Sequence, residues 1–309
     1  MGPELRQMRY VVAVADTLSF TRAAERLHLA QQALSQQVKV VEEQLGVQLF
    51  ARTNRGVEVT AAGQVFVQEA RRVLAAADRL GERTQAAARG EAGLVRLAYT
   101  LTTVYETLPA LAERLAERHP QLRVELREVY GGDVERLLLD ARHDMALCPR
   151  TAVPDSLRAR AVRRERFVVA VGEDHPLASR GPVAVRELRR ETLELWPRDM
   201  APGYYDAVVA VCREAGFQPR IDEAGSGSTV WGAIAQGRGV GLVVASLAEQ
   251  VPRGVVLVAL EEPAPRLTID VVCHGEHDAE AVRRVLEVAA EVGAERGWLV
   301  APSARAPWT

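Results

Sequence analysis

SFTRAAERLHLAQQALSQQVKVVEEQLGVQLFAR, residues 19–52, holds two helix-spaced apolar stripes separated by a short turn. Ser19 is a good N-cap for a first helix whose Ala23, Ala24 and Leu27 point inward. After His28-Leu29-Ala30 a second helix is expected over 31–45, with Leu34, Val38, Val41 and Leu45 inside, and Gly46 is placed to stop it. Upstream, Leu5, Met8, Val12 and Ala15 repeat at steps of four and three, one more helical stripe. Downstream, VQLFARTNRGVEVT (47–60) reads as two short strands around an Asn54-Arg55-Gly56 turn. Three helices and a hairpin in this order predict a winged helix-turn-helix over residues 1–60.

That arrangement points to double-stranded DNA. On the third helix Gln31, Gln32, Ser35, Gln36 and Lys39 share the polar face and crowd its N-terminal half, the half that enters a major groove in helix-turn-helix proteins. Glutamine can pair with adenine through two hydrogen bonds, serine can meet a base edge or phosphate, and lysine neutralises phosphate. A polar helix face by itself is ordinarily only a solvated surface. The flanking helices and the basic hairpin, with Arg52 and Arg55, are what give it meaning.

Residues 61–92 continue as one long linker helix. Phe66, Ala70, Val73, Ala77, Leu80, Thr84 and Ala87 alternate by four and three, a heptad seam that asks for a partner helix, either in a second copy of the chain or in its own domain. After Gly90 and Gly93 the pattern changes to alternating strands and helices. Strands are expected at 94–99, 122–129, 145–148, 167–171, 192–196, 240–244, 255–259 and 267–272, and helices near 105–118, 133–142, 204–215, 228–236 and 278–296. Such alternation makes open α/β sheets that bind ligands at the carboxyl ends of their strands. The fold class is α+β multidomain, with a C-terminal α/β part from residue 93 and a disordered tail at 301–309.

The whole sequence excludes several classes. Its 309 residues are too many for one ordinary domain. A net charge of −2 means that nucleic-acid binding must come from local charge. No apolar run suits a membrane, and the N-terminus lacks the marks of an export signal, so a cytoplasmic protein is expected. Cys148, Cys212 and Cys273 are few and scattered, which fits neither a disulfide framework nor a zinc site. His274 and His277 in HGEH have no cysteine beside them, and no metal or cofactor is expected. GRGVG (237–241) precedes a strand instead of following one, so it is no dinucleotide loop. No nucleophile–base constellation marks an enzyme.

Residues 19–52 together with VEVTAAG (57–63) resemble the signature of LysR-type transcriptional regulators. HPQLRVEL, GEDHPLA, CREAGFQP and AIAQGRGVGLV fall where that family has similar segments, so the resemblance spans nearly the whole chain. It implies a C-terminal effector domain like periplasmic binding proteins, of two Rossmann-like lobes, 93–165 with 266–300 and 166–265, with a small-molecule effector between them. It also implies assembly as a homodimer or homotetramer, with RNA polymerase a further partner to consider. By the same resemblance Gln31, Ser35 and Gln36 face bases, while Thr21, Arg52 and Arg55 hold phosphates or the minor groove. Gln32 stands where proline is frequent and Gln36 where arginine is, so the half-site read by relatives does not carry over.

For the effector, Thr100, Thr102 and Thr103 either cap a helix or form an anion site at its N-terminus. The segment 225–229, with Ser228 and Thr229, either faces them or is a loop. LWPRDMAPGYYD (195–206) and Ala30-Gln31 are similar to the branch governing aromatic-compound breakdown, the benzoate and catechol regulators. That similarity puts Thr102, Pro202 and Tyr204 at the effector and implies an organic acid. Gly131 departs from a ligand-binding threonine there. Arg150 is either a counter-charge for the acid or a solvated side chain. The alternatives are a regulator of the same architecture that senses oxidants through Cys148 and Cys212, and a solute-binding protein.

Overall fold

The computed structural model describes residues 2–53, 56–88, 93–223, 227–275 and 280–299. It divides into two compact units, Met1–Gly90 with Leu139–Arg142 and Glu91–Leu138 with His143–Thr309.

The first unit begins with α1 (Leu5–Thr17), α2 (Phe20–Arg26) and α3 (Gln31–Leu45), followed by β1 (Phe50–Thr53), β2 (Gly56–Val59) and α4 (Ala61–Ala88). Ser19 caps α2 by accepting from the Arg22 N–H, and His28 turns the chain with φ 54°. Gly46 ends α3 in the left-handed region at φ 68°, where a Cβ is disfavoured. Ala23, Ala24, Leu34, Val38, Val41, Leu49 and Phe50 form the core with Val11 and Val14. Here two expected stripes are corrected. The buried face of α1 runs through Gln7, Val11 and Val14, while Leu5 is exposed and Met8, Val12 and Ala15 only flank the core. Gln7 is tolerated inside because its amide donates to Gln37 Oε1 at 3.3 Å and its oxygen accepts from the Glu4 N–H at 3.0 Å. Leu45 is likewise exposed, since the helix has turned away from the core by its last residue.

Along α4 the heptad seam divides. Ala70 is buried and Phe66 packs on the first unit's core, but Val73 and Leu80 are exposed. Thr84 returns its hydroxyl to the Leu80 carbonyl at 2.8 Å. The Ala87 side chain lies outside the described residues.

The second unit contains β3 (Leu94–Tyr99), α5 (Thr107–Arg118), β4 (Arg123–Glu128), α6 (Val134–Leu139), β5 (Met145–Pro149) and β6 (Leu157–Gly172). Then come β7 (Thr192–Leu195), α7 (Pro202–Glu214), β8 (Arg220–Glu223), α8 (Gly227–Ala235), β9 (Gly241–Val244), β10 (Val255–Ala259), β11 (Arg266–His274) and α9 (Glu280–Glu295). β4, β3 and β5 run parallel, β11 pairs antiparallel with β5, and β6 pairs antiparallel with β11. β6 is one strand of 16 residues, and beyond its β11 register it pairs antiparallel with β9 and β10. The shorter expectation at 167–171 missed its first half because Arg158, Arg160, Arg163 and Arg164 hide the strand pattern. The helix expected at 105–118 starts at Thr107, after a 3-10 turn at Leu101–Thr103, and that expected at 133–142 is cut to Val134–Leu139. β8 was not foreseen. It pairs parallel with β7 through RIDE, whose burial is too slight to show in the pattern.

Two cores hold the lobes. One joins Val95, Leu97, Leu111, Met145, Leu147, Ile269, Val271 and the buried face of α9. The other gathers Phe167, Val169, Leu193, Leu195, Val208 and Leu242 under α7. Among the described residues no helix is long and apolar enough to cross a membrane.

Candidate DNA-reading face and effector cavity

In the first unit, Gln31, Gln32, Gln36 and Lys39 are exposed on α3 and Ser35 is half-buried, opposite Leu34, Val38 and Val41. They line one depression of about 720 Å³ with Gln48, Phe50, Ala51 and Thr60 at the foot of the hairpin. Thr21 is exposed near the start of α2 and does not line it. Lys39 reaches Glu43 at 3.5 Å, an exposed pair that holds it only weakly. The Arg52 side chain and Arg55 lie outside the described residues.

Glu42, at the end of the reading helix away from its polar N-terminal half, fixes the hairpin to that helix. Its carboxylate accepts from the N–H groups of Leu49 at 2.7 Å and Phe50 at 3.2 Å. Of the adjacent pair Glu42 and Glu43, nothing in the sequence marks the first for that role. Glu42→Ala is expected to cost about 1–2 kcal/mol by leaving two donors unpaired. Hydrogen exchange of the Leu49 and Phe50 amides should quicken, and unchanged protection would refute the clamp.

In the second unit a cavity of about 260 Å³ opens at the carboxyl ends of β3, β4 and β5. Thr100 and Thr102 line it from the end of β3, Glu128 and Gly131 from the end of β4, and Cys148 and Pro149 from β5. The far wall is Trp196, Met200 and the first turn of α7 with Pro202, Gly203 and Tyr204. Backbone fit makes this wall. A Cβ on Gly203 would sit 2.7 Å from the Pro149 carbonyl oxygen and 2.6 Å from that of Arg150, so only glycine lets α7 start there. A Cβ on Gly131 would stand 3.3 Å from Pro202 Cδ, so a threonine in its place would press on this wall.

The structure sorts the expected effector residues. The Thr100 and Thr102 hydroxyls lie 3.2 Å apart in the cavity wall. Thr103 is corrected: it is fully buried, does not line the cavity, and donates its hydroxyl to the Thr100 carbonyl at 2.8 Å, a bond back across the 3-10 turn. Tyr204 offers its ring and not its hydroxyl, which donates to the Leu242 carbonyl while Trp196 meets the ring edge-on at 5.5 Å. Burial pushes that phenol well above its ordinary range, with Tyr105 adding to the effect. Arg150 is corrected as well. Its guanidinium grips the buried Asp270 carboxylate through two 2.8 Å bonds and is absent from the described cavity wall. Thr229 is exposed and does not line the cavity, and the Ser228 side chain lies outside the described residues.

The three cysteines are free and buried. Burial, with Asp270 adding to it, pushes the Cys148 thiol up to about 12, and burial pushes Cys212 up to about 11. The thiolate is the reactive form, so neither is poised to meet peroxide. Iodoacetamide at pH 8 is expected to label both in the folded protein at roughly one-hundredth or less of the unfolded rate. Rapid native labelling, read by mass spectrometry, would revive the oxidant-sensing alternative. Among the described residues no three His, Cys, Asp or Glu side chains cluster for a metal, and His277 lies outside them.

Two family models cover this architecture. The bacterial regulatory helix-turn-helix protein, lysR family, matches residues 5–64, and the LysR substrate binding domain matches residues 88–294. The chain belongs to the LysR family of transcriptional regulators. It is 34% identical to the HTH-type transcriptional regulator AlsR of Bacillus subtilis, over 79% of this chain and 81% of that one. With the regulator TfdT of Cupriavidus pinatubonensis it shares 36% identity over 68% of this chain and 92% of the other. Among solved structures CbnR, a LysR family transcriptional regulator, superposes with a TM-score of 0.71 at 26% identity, covering 94% of this chain and 99% of that one. CbnR has also been solved bound to its target DNA. As a LysR regulator the chain is a DNA-binding transcription factor with an effector-binding domain, and its relatives are regulators rather than enzymes. The solute-binding alternative does not account for residues 5–64.

Proposed function

We propose that this regulator reads its operator with Gln31, Gln32, Ser35 and Gln36 against base edges. Lys39, Thr21, Arg52 and Arg55 serve as phosphate or minor-groove contacts. The exposed polar end of α3 is the observation that carries this, because four hydrogen-bonding side chains lie opposite Leu34, Val38 and Val41, which turn to the core. Arg55→Ala is expected to weaken binding to all sequences alike and to reduce the salt slope by about one. Gln36→Ala is expected to cost about 1–3 kcal/mol on one preferred base and to relax the preference there. Gel shifts over a salt series, with randomised half-sites, separate the two, and an unchanged affinity for Arg55→Ala would refute the wing contact.

The effector is a small organic acid held in the 260 Å³ cavity. Its carboxylate meets the Thr100 and Thr102 hydroxyls and the N–H groups that open α7, where helical amides lack intrahelical acceptors. The aromatic-catabolism branch that the loop 195–206 resembles supplies the chemical class. Binding there shifts the balance between two arrangements of the lobes and so changes the regulator's activity on DNA. A ligand screen by calorimetry that found only cations would overturn this assignment.

Exposed Val73 and Leu80 on α4 need a partner, and a second copy of the chain supplies it by pairing linker helices. A homodimer built this way, or a tetramer of two such pairs, acts on chromosomal DNA in the cytoplasm. Leu80→Glu is the variant to compare with the native chain by sedimentation.

A further inference from the structure

The cavity has an uneven distribution of charge. Among the described residues its wall contains no lysine, arginine or histidine, and Glu128 is its one carboxylate. Arg150 does not supply the missing cation, because it is absent from that wall and its Nε–Nη2 edge holds Asp270. Glu128 closes β4, and its Cα partner across the ladder, Tyr99, leads straight into Thr100. Glu128 and the two threonines therefore line the cavity from the ends of neighbouring parallel strands. Facing them, α7 presents Gly203 and Tyr204, and the first amide to bond back into that turn is Tyr205, to the Ala201 carbonyl at 2.9 Å. One side of the cavity thus offers donors, while Glu128 offers only acceptors. Its carboxylate forms no ion pair and accepts no side-chain hydrogen bond from the described residues.

We propose that Glu128 sets the class of effector: a small organic acid with one carboxylate and, at its other end, a hydroxyl or amino group that donates to Glu128. The inference rests on the effector reading of this cavity and deepens it. An ionised carboxylate can only accept hydrogen bonds. A ligand that covered it with plain hydrocarbon would leave it dry and unpaired. A ligand with a second carboxylate would place like charges together with no cation to separate them. The space is about that of nine waters, enough for a single substituted ring against the wall that Trp196 and Tyr204 form together.

Three probes of one shape test this on the full chain by calorimetry: benzoate, 3-hydroxybenzoate and isophthalate. The hydroxy acid is expected to bind at least tenfold more tightly than either of the others. Glu128→Gln, a change at an exposed position, should keep the unliganded melting temperature. It should also narrow the gap to benzoate below threefold and strengthen isophthalate about tenfold, because an amide can donate to the second carboxylate. Isophthalate binding as tightly as 3-hydroxybenzoate, or an unchanged ranking in Glu128→Gln, overturns the role of Glu128 while leaving the cavity as the effector site. Thr102→Val should weaken all three probes alike. If it changes none of them, or if no probe binds the native chain, the effector reading of the cavity falls and this inference falls with it.

Discussion

Gly63→Ala is expected to destabilise the N-terminal unit by about 3 kcal/mol, the upper end of what over-packing costs. Gly63 lies in the first turn of α4, where the helix crosses the start of the hairpin. A Cβ there would stand 2.1 Å from the Leu49 carbonyl oxygen and 2.8 Å from Val59 Cγ1. The first of these is backbone and cannot rotate away. It is also pinned, since the Leu49 carbonyl accepts from the Thr60 N–H at 3.0 Å while the Leu49 N–H donates to Glu42. Thr60 tightens the same joint, its hydroxyl donating to the Gln48 carbonyl at 2.7 Å and accepting from the Gly63 N–H at 3.0 Å. Relief therefore requires the linker helix and the hairpin to part. The loss should lower the melting transition of this unit by about 10–20 °C and weaken operator binding. Gly81→Ala, in the same helix with nothing within 4 Å of the new Cβ, should instead stabilise by about 0.5–1 kcal/mol. Calorimetry of the full chain reads both. Equal effects from the two glycines would show that the joint at Leu49 is not tight.

Arg150→Ala is expected to cost the C-terminal unit about 2–3 kcal/mol. Asp270 is almost wholly buried on β11, and the bidentate guanidinium is its counter-charge. Removing one member of a buried pair strands the other, which typically costs more than the pair contributed. The Arg150 side chain is itself half exposed, so water can follow the truncation inward, which is why the expected loss lies below that of a fully buried pair. Arg150→Lys should recover only part of it, because an ammonium cannot reproduce the two-pronged contact. In the Arg150→Ala background, Asp270→Asn should restore much of the stability by removing the stranded charge. All four tryptophans lie beyond residue 195, so their fluorescence in urea follows this unit alone. Arg150→Ala unfolding at the native midpoint would mean that Asp270 is solvated without its partner.

The reading head was legible because its rules are local. Ser19 caps and Gly46 stops their helices through contacts within a turn, and the 3.6-residue stripe of α3 needs only one core to face. The misreadings in the same unit share a cause. Leu5 and Leu45 continue an apolar pattern past the point where the neighbouring helices end, so nothing remains to cover them. Gln7 looks like surface and is buried, because a partner 30 residues away satisfies it. In the C-terminal unit the arginines of β6 obscured a strand whose pairing with β11 decides its length.

The cavity separates the two kinds of information most clearly. Its threonines, its glycines and the α7 segment were marked by composition and by family resemblance, because loops at the ends of parallel strands are where ligands are held. Whether Arg150 is free or paired with Asp270 depended on a residue far away in sequence. Asp270 is 120 positions from Arg150, and nothing local to either announces the pair. Sequence alone determined that this chain folds as a DNA-reading head, a linker helix and a two-lobed α/β domain, since periodicity and caps are short-range properties. Only the tertiary structure decided which charges remain for a ligand, because a charge in a cavity is whatever long-range pairing has left unneutralised.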